Sequence, residues 1–337
     1  MRTDILLIVF SALILFEVLA VQYEATVTQR SKQPALSIKN PKGAGYSPCE
    51  YTFNPGWIPD LYPEGRKDKA YVIVRAAKCP NEFGGQRDHM LIATCYNNGT
   101  CDDISTRVQL PFEDEAQDPR IIHLEGWWYL FYYARGSGLK TTYLRRSRTP
   151  LIMNSWESVA LFPWHRNGCM LIRDKPPHYC LYGEAPPLKA VGLATTVDMK
   201  TFTTINDTLF KANSKDDKYA PEVVIEASTP IVQLSTGDYF HIYCAGTPGW
   251  VANGNYTCGY IILDAQNPNV LKQKSQDHFF GPITDYEIGS GIYPVQRKRT
   301  IFATSLVPTG RKDEFRVWYG AADANVASAI VNVKVVG

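Results

Sequence analysis

The triplet Asp118-Pro119-Arg120 combines residue types that can carry out acid–base chemistry. A proline disfavours the helical region for the residue before it, so the sequence predicts an extended Asp118, and in an extended chain Asp118 and Arg120 project to the same side. A carboxyl group and a guanidinium would then share one pocket, in which Asp118 is a candidate general acid. The simpler alternative is a surface turn with a local ion pair.

Three further polar residues lie near the ends of predicted strands. Asn54 begins Asn54-Pro55-Gly56, Arg75 lies within the apolar stretch 72–76, and Asp323 closes 319–323. Taken singly, these residues fit a turn, a buried ion pair and a strand end. If they met Asp118 in one pocket, they would supply donors and acceptors suited to the hydroxyl groups of a sugar ring.

A repeat along the chain predicts how these residues are brought together. Each of its five units is a strand of aromatic and β-branched residues, followed after a loop by a second strand: 71–77 with 90–95, 128–134 with 141–146, 179–182 with 192–196, 239–245 with 258–263, and 315–321 with 327–333. No convincing amphipathic helix longer than about ten residues occurs. The sequence predicts an all-β, five-bladed β-propeller, with the first strand of each unit innermost; a single or double β-sandwich is the alternative.

The amino terminus predicts export. Residues 1–20 combine Arg2, an apolar stretch from Ile5 to Phe16 and a small-residue end at Ala20, which is typical of a signal peptide. Residues 21–46 are interpreted as an irregular lead-in and residues 47–337 as the propeller domain. We expect a secreted or secretory-lumen protein, with an uncleaved signal anchor as the alternative. Three Asn-x-Thr sequons predict N-glycosylation at Asn98, Asn206 and Asn255.

The eight cysteines agree with an oxidising compartment. Proximity along the chain favours four disulfides: Cys95–Cys101, Cys169–Cys180, Cys244–Cys258 and Cys49–Cys79. A metal site is less favoured, because no Cys-x-x-Cys occurs and the six histidines are scattered. We therefore predict no metal and no cofactor.

Charge and motifs exclude several classes of protein. Lys and Arg number 35 against 33 for Asp and Glu, which gives no electrostatic reason to expect nucleic acid or an anionic membrane surface as a partner. The cluster Arg297-Lys298-Arg299 is interpreted as solvated loop charge. The motifs of serine hydrolases, P-loop nucleotidases and zincins are absent. The expected partner is an oligosaccharide or glycan, and the oligomeric state stays open. Four tryptophans are candidates to stack on sugars or to be buried in the core: Trp127, Trp128, Trp164 and Trp250.

A series of short motifs resembles glycoside hydrolase family 130 over most of residues 50–335. In order, these motifs are Asn54-Pro55-Gly56, Arg75-Ala76, Asp118-Pro119-Arg120-Ile121, Leu161-Phe162-Pro163, Gly192-Leu193-Ala194 with Asp198, Pro230-Ile231, Leu263-Asp264 with Pro268 and Val270-Leu271, Pro308-Thr309-Gly310 and Tyr319-Gly320-Ala321-Ala322-Asp323. The resemblance implies a five-bladed propeller that acts on mannosides, as a phosphorylase or, in some members, as a mannosidase.

The resemblance also implies roles for the site residues. Asp118 would be the general acid of an inverting reaction and would protonate the glycosidic oxygen through a hydroxyl of the sugar. Asn54, Arg75 and Asp323 would hold the sugar. A tight pair between Arg120 and Asp118 would lower the pKa of the acid, so we expect Arg120 to point to substrate or to a neighbouring blade.

Departures from the family pattern bear on the nucleophile. Where phosphorylases of the family place a Lys before Leu161-Phe162-Pro163, this chain has Glu157, and the family's His-Arg pair aligns with Tyr182 and Gly183. Loss of these cations favours water over phosphate. His165-Arg166, by contrast, would rebuild an anion site and favours a phosphorylase.

An inverting hydrolase needs a base, with its carboxyl group about 6.5–9.5 Å from that of the acid. We favour Glu226, which precedes the predicted fourth inner strand, and then Glu157; Glu184 and Glu222 are further candidates. Three hypotheses follow: inverting hydrolysis of β-mannosidic bonds, a β-mannoside phosphorylase, and a propeller that binds glycans without cleaving them.

Overall fold

The computed structural model describes residues 21–37, 50–78, 88–102, 115–136, 139–162, 167–183, 189–214, 221–250, 254–291 and 295–336. Nearly all regular structure in these ranges is β-strand. One short helix, α1 (Asp285–Ile288), and two 3₁₀ turns (Pro63–Gly65 and Met153–Ser155) complete it. No helix within the described ranges is both long and apolar enough to cross a membrane. The predicted signal segment, 1–20, lies outside them.

The strands form five antiparallel sheets, which are the blades of a β-propeller, as predicted. Blade I comprises β2 (Glu50–Trp57), β3 (Lys69–Lys78) and β4 (His89–Tyr96); blade II, β5 (Gln117–Leu124), β6 (Trp127–Gly136), β7 (Leu139–Ser147) and β8 (Glu157–Phe162); blade III, β9 (Gly168–Leu171), β10 (His178–Tyr182), β11 (Ala190–Thr196) and β12 (Thr203–Lys211); blade IV, β13 (Val224–Ala227), β14 (Val232–Gln233), β15 (Tyr239–Gly246), β16 (Tyr256–Leu263) and β17 (Leu271–Lys274). Blade V comprises β18 (Ile301–Pro308), β19 (Glu314–Ala321) and β20 (Asn325–Val336), together with β1 (Gln22–Arg30).

Strand β1 closes the propeller, so the irregular lead-in predicted over 21–46 is wrong for residues 22–30, while residues 38–46 lie outside the described ranges. It pairs antiparallel with β20, from Gln22 opposite Val336 to Arg30 opposite Ala329. The alternation along β1 is short: Tyr23 and Ala25 are buried, whereas Gln22 and Glu24 are exposed. Pairing the first strand with the last blade joins the two ends of the described chain in one sheet.

The innermost strands are not the ones that the repeat predicted. The ten predicted strands correspond to the second and third strands of the blades, and each blade begins with an additional inner strand: β2, β5, β9, β13 and β18. Around the axis β2 packs against β5 and β18. The prediction missed these strands because β2 and β5 contain a proline, which argues against a strand, and β9 and β13 have only four residues each.

The blades pack face to face through apolar clusters. Between blades II and III, for example, the rings of Phe131, Phe162 and Phe202 lie with centroids 4.9 to 6.2 Å apart. Burying one such side chain contributes about 1.5–3 kcal/mol. This packing fixes the blades around the axis and therefore the residues that their inner strands present there.

Two predicted disulfides are confirmed. Cys95–Cys101 ties β4 to the segment after it, and Cys244–Cys258 joins directly opposed residues of β15 and β16. The predicted pair of Cys169 and Cys180 is wrong: both are free and buried.

Strand register explains why that third pair does not form. Cys169 lies opposite Leu181, and Cys180 lies opposite Met170. An offset of one residue turns the two thiols to opposite faces of blade III, where they join different apolar clusters. The fourth predicted pair, Cys49–Cys79, lies outside the described residues.

Candidate active site

A cavity at the propeller axis brings together the four residues predicted to hold or cleave a sugar. Its lining comes from blades I, II, IV and V: Asn54, Arg75, Asp118, Glu226, Trp250, Tyr256, Arg297, Thr300, Phe302 and Asp323. Residues distant in sequence therefore form one polar site. Glu226, the favoured candidate base, lies in the same cavity.

Two matching irregularities aim Asn54 and Asp118 at the axis. The register of β2 shifts between Phe53 and Gly56, and that of β5 shifts between Gln117 and Arg120. Within these bulges Asn54 has φ 49° and Asp118 has φ 56°. Asn and Asp are among the residues that best tolerate this left-handed conformation. The predicted extended backbone at Asp118 is therefore wrong, because the strand bulges there.

Two glycines allow the bulges to pack closely. A Cβ at Gly56 would lie 2.8 Å from the main-chain oxygen of Pro119, so any larger residue would push the two bulges apart. A Cβ at Gly320 in β19 would lie 1.9 Å from Oδ1 of Asn54. Glycine at these positions is thus needed for Asn54 to reach the axis.

Asp118 belongs to a network of buried charges. Its Oδ1 accepts hydrogen bonds from Asn54 Nδ2 at 2.7 Å and from Arg75 at 3.0 Å. The other arm of Arg75 donates to Asp88 Oδ2 at 2.9 Å, and Gln117 donates to the same oxygen. Sequence reasoning missed Asp88, which has no motif of its own and reaches the site only because β4 lies beside β3.

Arg75 is shared among several carboxylates. Burial lowers the pKa of its guanidinium, but the nearby negative charges outweigh burial and the pKa is raised; they come from Asp88, Asp118 and Asp323. Arg75 therefore stays charged and holds the acidic side chains together.

Arg120 does not pair with the Asp118 carboxylate. It is 2% exposed, its Nε donates to the main-chain oxygen of Ser228 at 2.8 Å, and its NH1 donates to the main-chain oxygen of Asp118. The guanidinium also lies 5.3 Å from the ring centroid of Phe302. Arg120 thus connects β5 to the segment after β13, across the axis.

Asp323 faces a cation that sequence reasoning missed. Arg297, interpreted above as a solvated loop charge, has its Nε 3.7 Å from Asp323 Oδ2. The main-chain nitrogen of Arg297 donates to the oxygen of Ala322 at 3.0 Å, which fixes its segment beside Asp323. Burial raises the pKa of Asp323; Arg297 and Arg75 oppose this shift, and the nearby carboxylates of Asp118 and Asp88 reinforce it.

Glu226 is held from two sides. It lies on β13 and is 4% exposed. Its Oε1 accepts a hydrogen bond from the Tyr256 hydroxyl at 2.6 Å, and its Oε2 accepts one from Asn167 Nδ2 at 3.1 Å. The sequence contained no signal for these two donors, since they lie 30 and 59 residues away along the chain.

The other candidate bases lie elsewhere. The side chain of Glu157 is 49% exposed on the outer strand β8 and pairs with Arg146 at 3.1 Å, so its proposed place in the site is wrong. Glu222 pairs with Lys274 and His278, each at 2.9 Å, outside the cavity lining. Glu184 and the pair His165-Arg166 lie outside the described residues.

Of the tryptophans proposed to stack on sugars, one lines the cavity and two lie away from it. Trp250 lines the cavity, and the guanidinium of Arg297 lies 4.3 Å from its ring centroid. The guanidinium groups of Arg146 and Arg148 lie 4.2 and 4.4 Å from the ring centroid of Trp127, away from the cavity. Trp128 stacks on His123 at 4.3 Å, also away from it. Trp164 lies outside the described residues.

The fold and the cavity define a five-bladed β-propeller with a polar axial site that contains three carboxylates. A family model described as beta-1,4-mannooligosaccharide phosphorylase matches residues 106–336. The chain therefore belongs to glycoside hydrolase family 130, carbohydrate-active enzymes of β-mannosidic linkages, which confirms the resemblance. No curated protein sequence matches it.

Solved structures share this fold. The β-1,2-mannobiose phosphorylase from Listeria innocua, solved with β-1,2-mannobiose, is 13% identical, with a TM-score of 0.71 over 90% of this chain and 96% of that one. A structure reported for family 130 hydrolases that target β-1,2 mannosidic linkages in Candida mannan is 19% identical, with a TM-score of 0.69 over 90% and 94%. A glycosyl hydrolase from Bacteroides ovatus is 20% identical, with a TM-score of 0.66 over 83% and 84%.

Proposed function

We propose that this protein hydrolyses β-mannosidic bonds with inversion, using Asp118 as the acid and Glu226 as the base. The observation that carries this proposal is the presence of both carboxyl groups, 1% and 4% exposed, in the wall of one cavity from different blades. Such a pair can act on the two faces of a sugar ring.

The reaction moves two protons. Asp118 donates one, through a hydroxyl of the sugar, to the glycosidic oxygen as the bond to the anomeric carbon breaks. Water attacks that carbon from the opposite face and gives its proton to Glu226. The product from a β-mannoside is α-mannose. Asn54, Arg75 and Asp323, which line the cavity beside Asp118, would bind the sugar hydroxyls.

Phosphorolysis is the second candidate, and Arg297 favours it. Its guanidinium lies in the cavity wall, where a cation would attract phosphate. Phosphate would then attack in place of water and give α-mannose 1-phosphate. The family model, which is described by a phosphorylase, also agrees with this reaction. Glu226 argues against it, because a buried carboxylate beside the nucleophile repels a phosphate dianion.

Products formed with and without phosphate separate the candidates. The purified protein would be incubated with β-1,2- and β-1,4-linked manno-oligosaccharides in phosphate-free buffer and then with added phosphate. Free mannose without phosphate supports hydrolysis. Mannose 1-phosphate that forms only with phosphate supports phosphorolysis and contradicts the proposal, and binding without turnover leaves a glycan-binding propeller. Asp118→Asn controls for contaminating activity.

We also propose that the chain is exported. The signal pattern in residues 1–20 and the disulfides Cys95–Cys101 and Cys244–Cys258 support an oxidising compartment. Asn98, one of the predicted glycosylation sites, is exposed on a turn after β4. Expression of the full chain in a secreting eukaryotic host tests this: we expect protein in the medium that shifts in mass when N-glycans are removed. Retention in the cytosol without glycans would contradict it.

A further inference from the structure

The carboxylate of Glu226 accepts hydrogen bonds from two uncharged donors, which lie on two different blades. We propose that Tyr256 and Asn167 are positioning residues that aim Glu226 at the attacking water. This inference rests on the proposed function, since it assumes that Glu226 is the base. It assigns a task to two residues that would not touch the sugar's reacting carbon.

Tyr256 is itself fixed on several sides. Its side chain is 4% exposed and lies between Trp250 and Phe302, with ring centroids 5.1 and 5.8 Å away. Its main-chain nitrogen donates to the oxygen of Arg299 at 2.9 Å. The hydroxyl therefore has little freedom, and its 2.6 Å contact with Glu226 Oε1 has the length of a hydrogen bond to an ionised carboxylate.

Asn167 shares its left-handed backbone conformation with Asn54 and Asp118 of two other blades. It directly precedes β9, is 2% exposed and has φ 61°, just as Asn54 and Asp118 adopt left-handed conformations in β2 and β5. Three successive blades thus direct an Asn or Asp inward, from within the inner strand in blades I and II and from just before it in blade III. In blade III that side chain reaches Oε2 of Glu226.

Two donors on two oxygens fix both the position and the plane of the Glu226 carboxylate. Because both donors are neutral, they orient the group without cancelling the charge that it needs to accept a proton. A carboxylate that rotates away from the water loses this function, since a small misplacement of a reacting group slows a reaction strongly.

The test compares water with azide as the nucleophile. Azide is already an anion, so it attacks the anomeric carbon and forms α-mannosyl azide without giving a proton to a base. We expect Tyr256→Phe to lower kcat for hydrolysis by about 10- to 100-fold, the effect of losing one hydrogen bond to a charged group, with KM unchanged. Turnover with azide, measured in the Glu226→Ala background where no carboxylate repels the anion, should not change when Tyr256→Phe is added.

Matched variants complete the test. Tyr260→Phe removes a buried hydroxyl on the same strand, one that donates to Tyr23 O at 2.7 Å away from the cavity, and should leave both reactions unchanged. Asn167→Gly keeps the left-handed backbone, deletes the amide, and should follow Tyr256→Phe. If Tyr256→Phe slows water and azide equally, or slows neither, the positioning role is wrong.

Glu226→Ala separates this failure from failure of the proposed function. If Glu226 is the base, this variant loses hydrolysis but gains turnover with azide. If it keeps full phosphate-free hydrolysis, Glu226 is not the base and the proposed function itself fails, whatever Tyr256→Phe does.

Discussion

The two sides of the axial cavity hold their carboxylates in different ways. On the side of blades I, II and V, Asp118 shares the charged Arg75 with Asp88, and Asp323 faces Arg297. On the side of blade IV, Glu226 is held by a phenol and an amide. The first side is a network of alternating charges, whereas on the second side a phenol and an amide donate hydrogen bonds to one carboxylate.

This difference indicates a division of labour. A network of paired charges is rigid and presents many hydrogen-bonding groups, which suits the binding of sugar hydroxyls around the acid. A carboxylate oriented by neutral donors keeps its charge available for a proton from water. The contrast therefore predicts different results for substitutions on the two sides.

The largest effect is expected for Asp118→Asn. Removing a general acid typically costs about 100- to 10,000-fold in rate, and the isosteric amide should preserve the fold. Turnover of a β-linked manno-oligosaccharide and the thermal melting temperature would be measured together. Asp68→Asn, at an exposed carboxylate that pairs only with Arg66 among its described ion pairs, is the control and should retain full activity. Normal turnover in Asp118→Asn would reject the acid.

Loss of Arg75 should damage stability as well as activity. Arg75→Met leaves the buried carboxylates of Asp88 and Asp118 without their shared cation, and breaking a buried pair in this way costs about 3–5 kcal/mol. Urea unfolding would measure it. Arg146→Met breaks the more exposed pair with Glu157 and should cost less than about 1 kcal/mol. Equal losses in the two variants would show that the Arg75 pairs contribute no more than an exposed ion pair, which contradicts a network of buried charges on this side of the cavity.

Asp323→Asn should stabilise the protein at neutral pH while lowering its activity. Burial raises the pKa of the Asp323 carboxyl group above its ordinary value. Below the ordinary carboxyl pKa, the group is protonated in the folded and the unfolded chain and does not change the stability of the wild type. As the pH rises through the raised pKa, the wild type loses stability because its folded state must hold the charge in a buried place. The uncharged Asn does not incur this loss. The melting temperature of Asp323→Asn relative to wild type should therefore increase from acid to neutral pH.

Asp198 supplies a control because its carboxyl pKa is shifted in the opposite direction to that of Asp323. Main-chain hydrogen bonds from Thr201 and Lys200 lower the pKa of its carboxyl group. Its ionised form therefore adds stability at neutral pH, and this contribution disappears as the pH falls through the lowered pKa. Asp198→Asn should melt below wild type at neutral pH. A pH-independent difference for Asp323→Asn would contradict the burial of its charge.

The smallest effect is expected for Glu157→Gln. Glu157, which the family resemblance predicted to replace a phosphate-binding Lys, lies on the outer strand β8 with its side chain 49% exposed. Surface substitutions of this kind change stability by less than about 0.5 kcal/mol. We expect kcat/KM unchanged with or without phosphate, and a strong loss would bring Glu157 back as a base.

Sequence reasoning reached the cavity residues that stand in local motifs better than those that only packing brings to the axis. Asn54, Asp118 and Asp323 stand in local motifs, and their convergence follows from any propeller. Arg297 looks like loop charge because its position depends on a main-chain contact with Ala322. Tyr256 and Asn167 carry no local signal, since only the packing of blades III and IV brings them to Glu226.

The fold shows the same limit. Aromatic and β-branched runs revealed the second and third strands of every blade, and hence the number of blades. The inner strands β2 and β5 escaped because their prolines and left-handed residues, which argue against a strand locally, are the features that aim Asn54 and Asp118 at the axis. Strands β9 and β13 escaped because they have only four residues each. At these positions, the residues that serve the site interrupt the regular sequence pattern of a strand.

The anomer that forms first in phosphate-free buffer tests the central claim most directly. Proton NMR would follow the wild type and Glu226→Gln acting on a β-linked manno-oligosaccharide before mutarotation obscures the product. The account predicts α-mannose from the wild type and loss of that signal in Glu226→Gln. Undiminished α-mannose from Glu226→Gln, or turnover of the wild type only after phosphate is added, would contradict it.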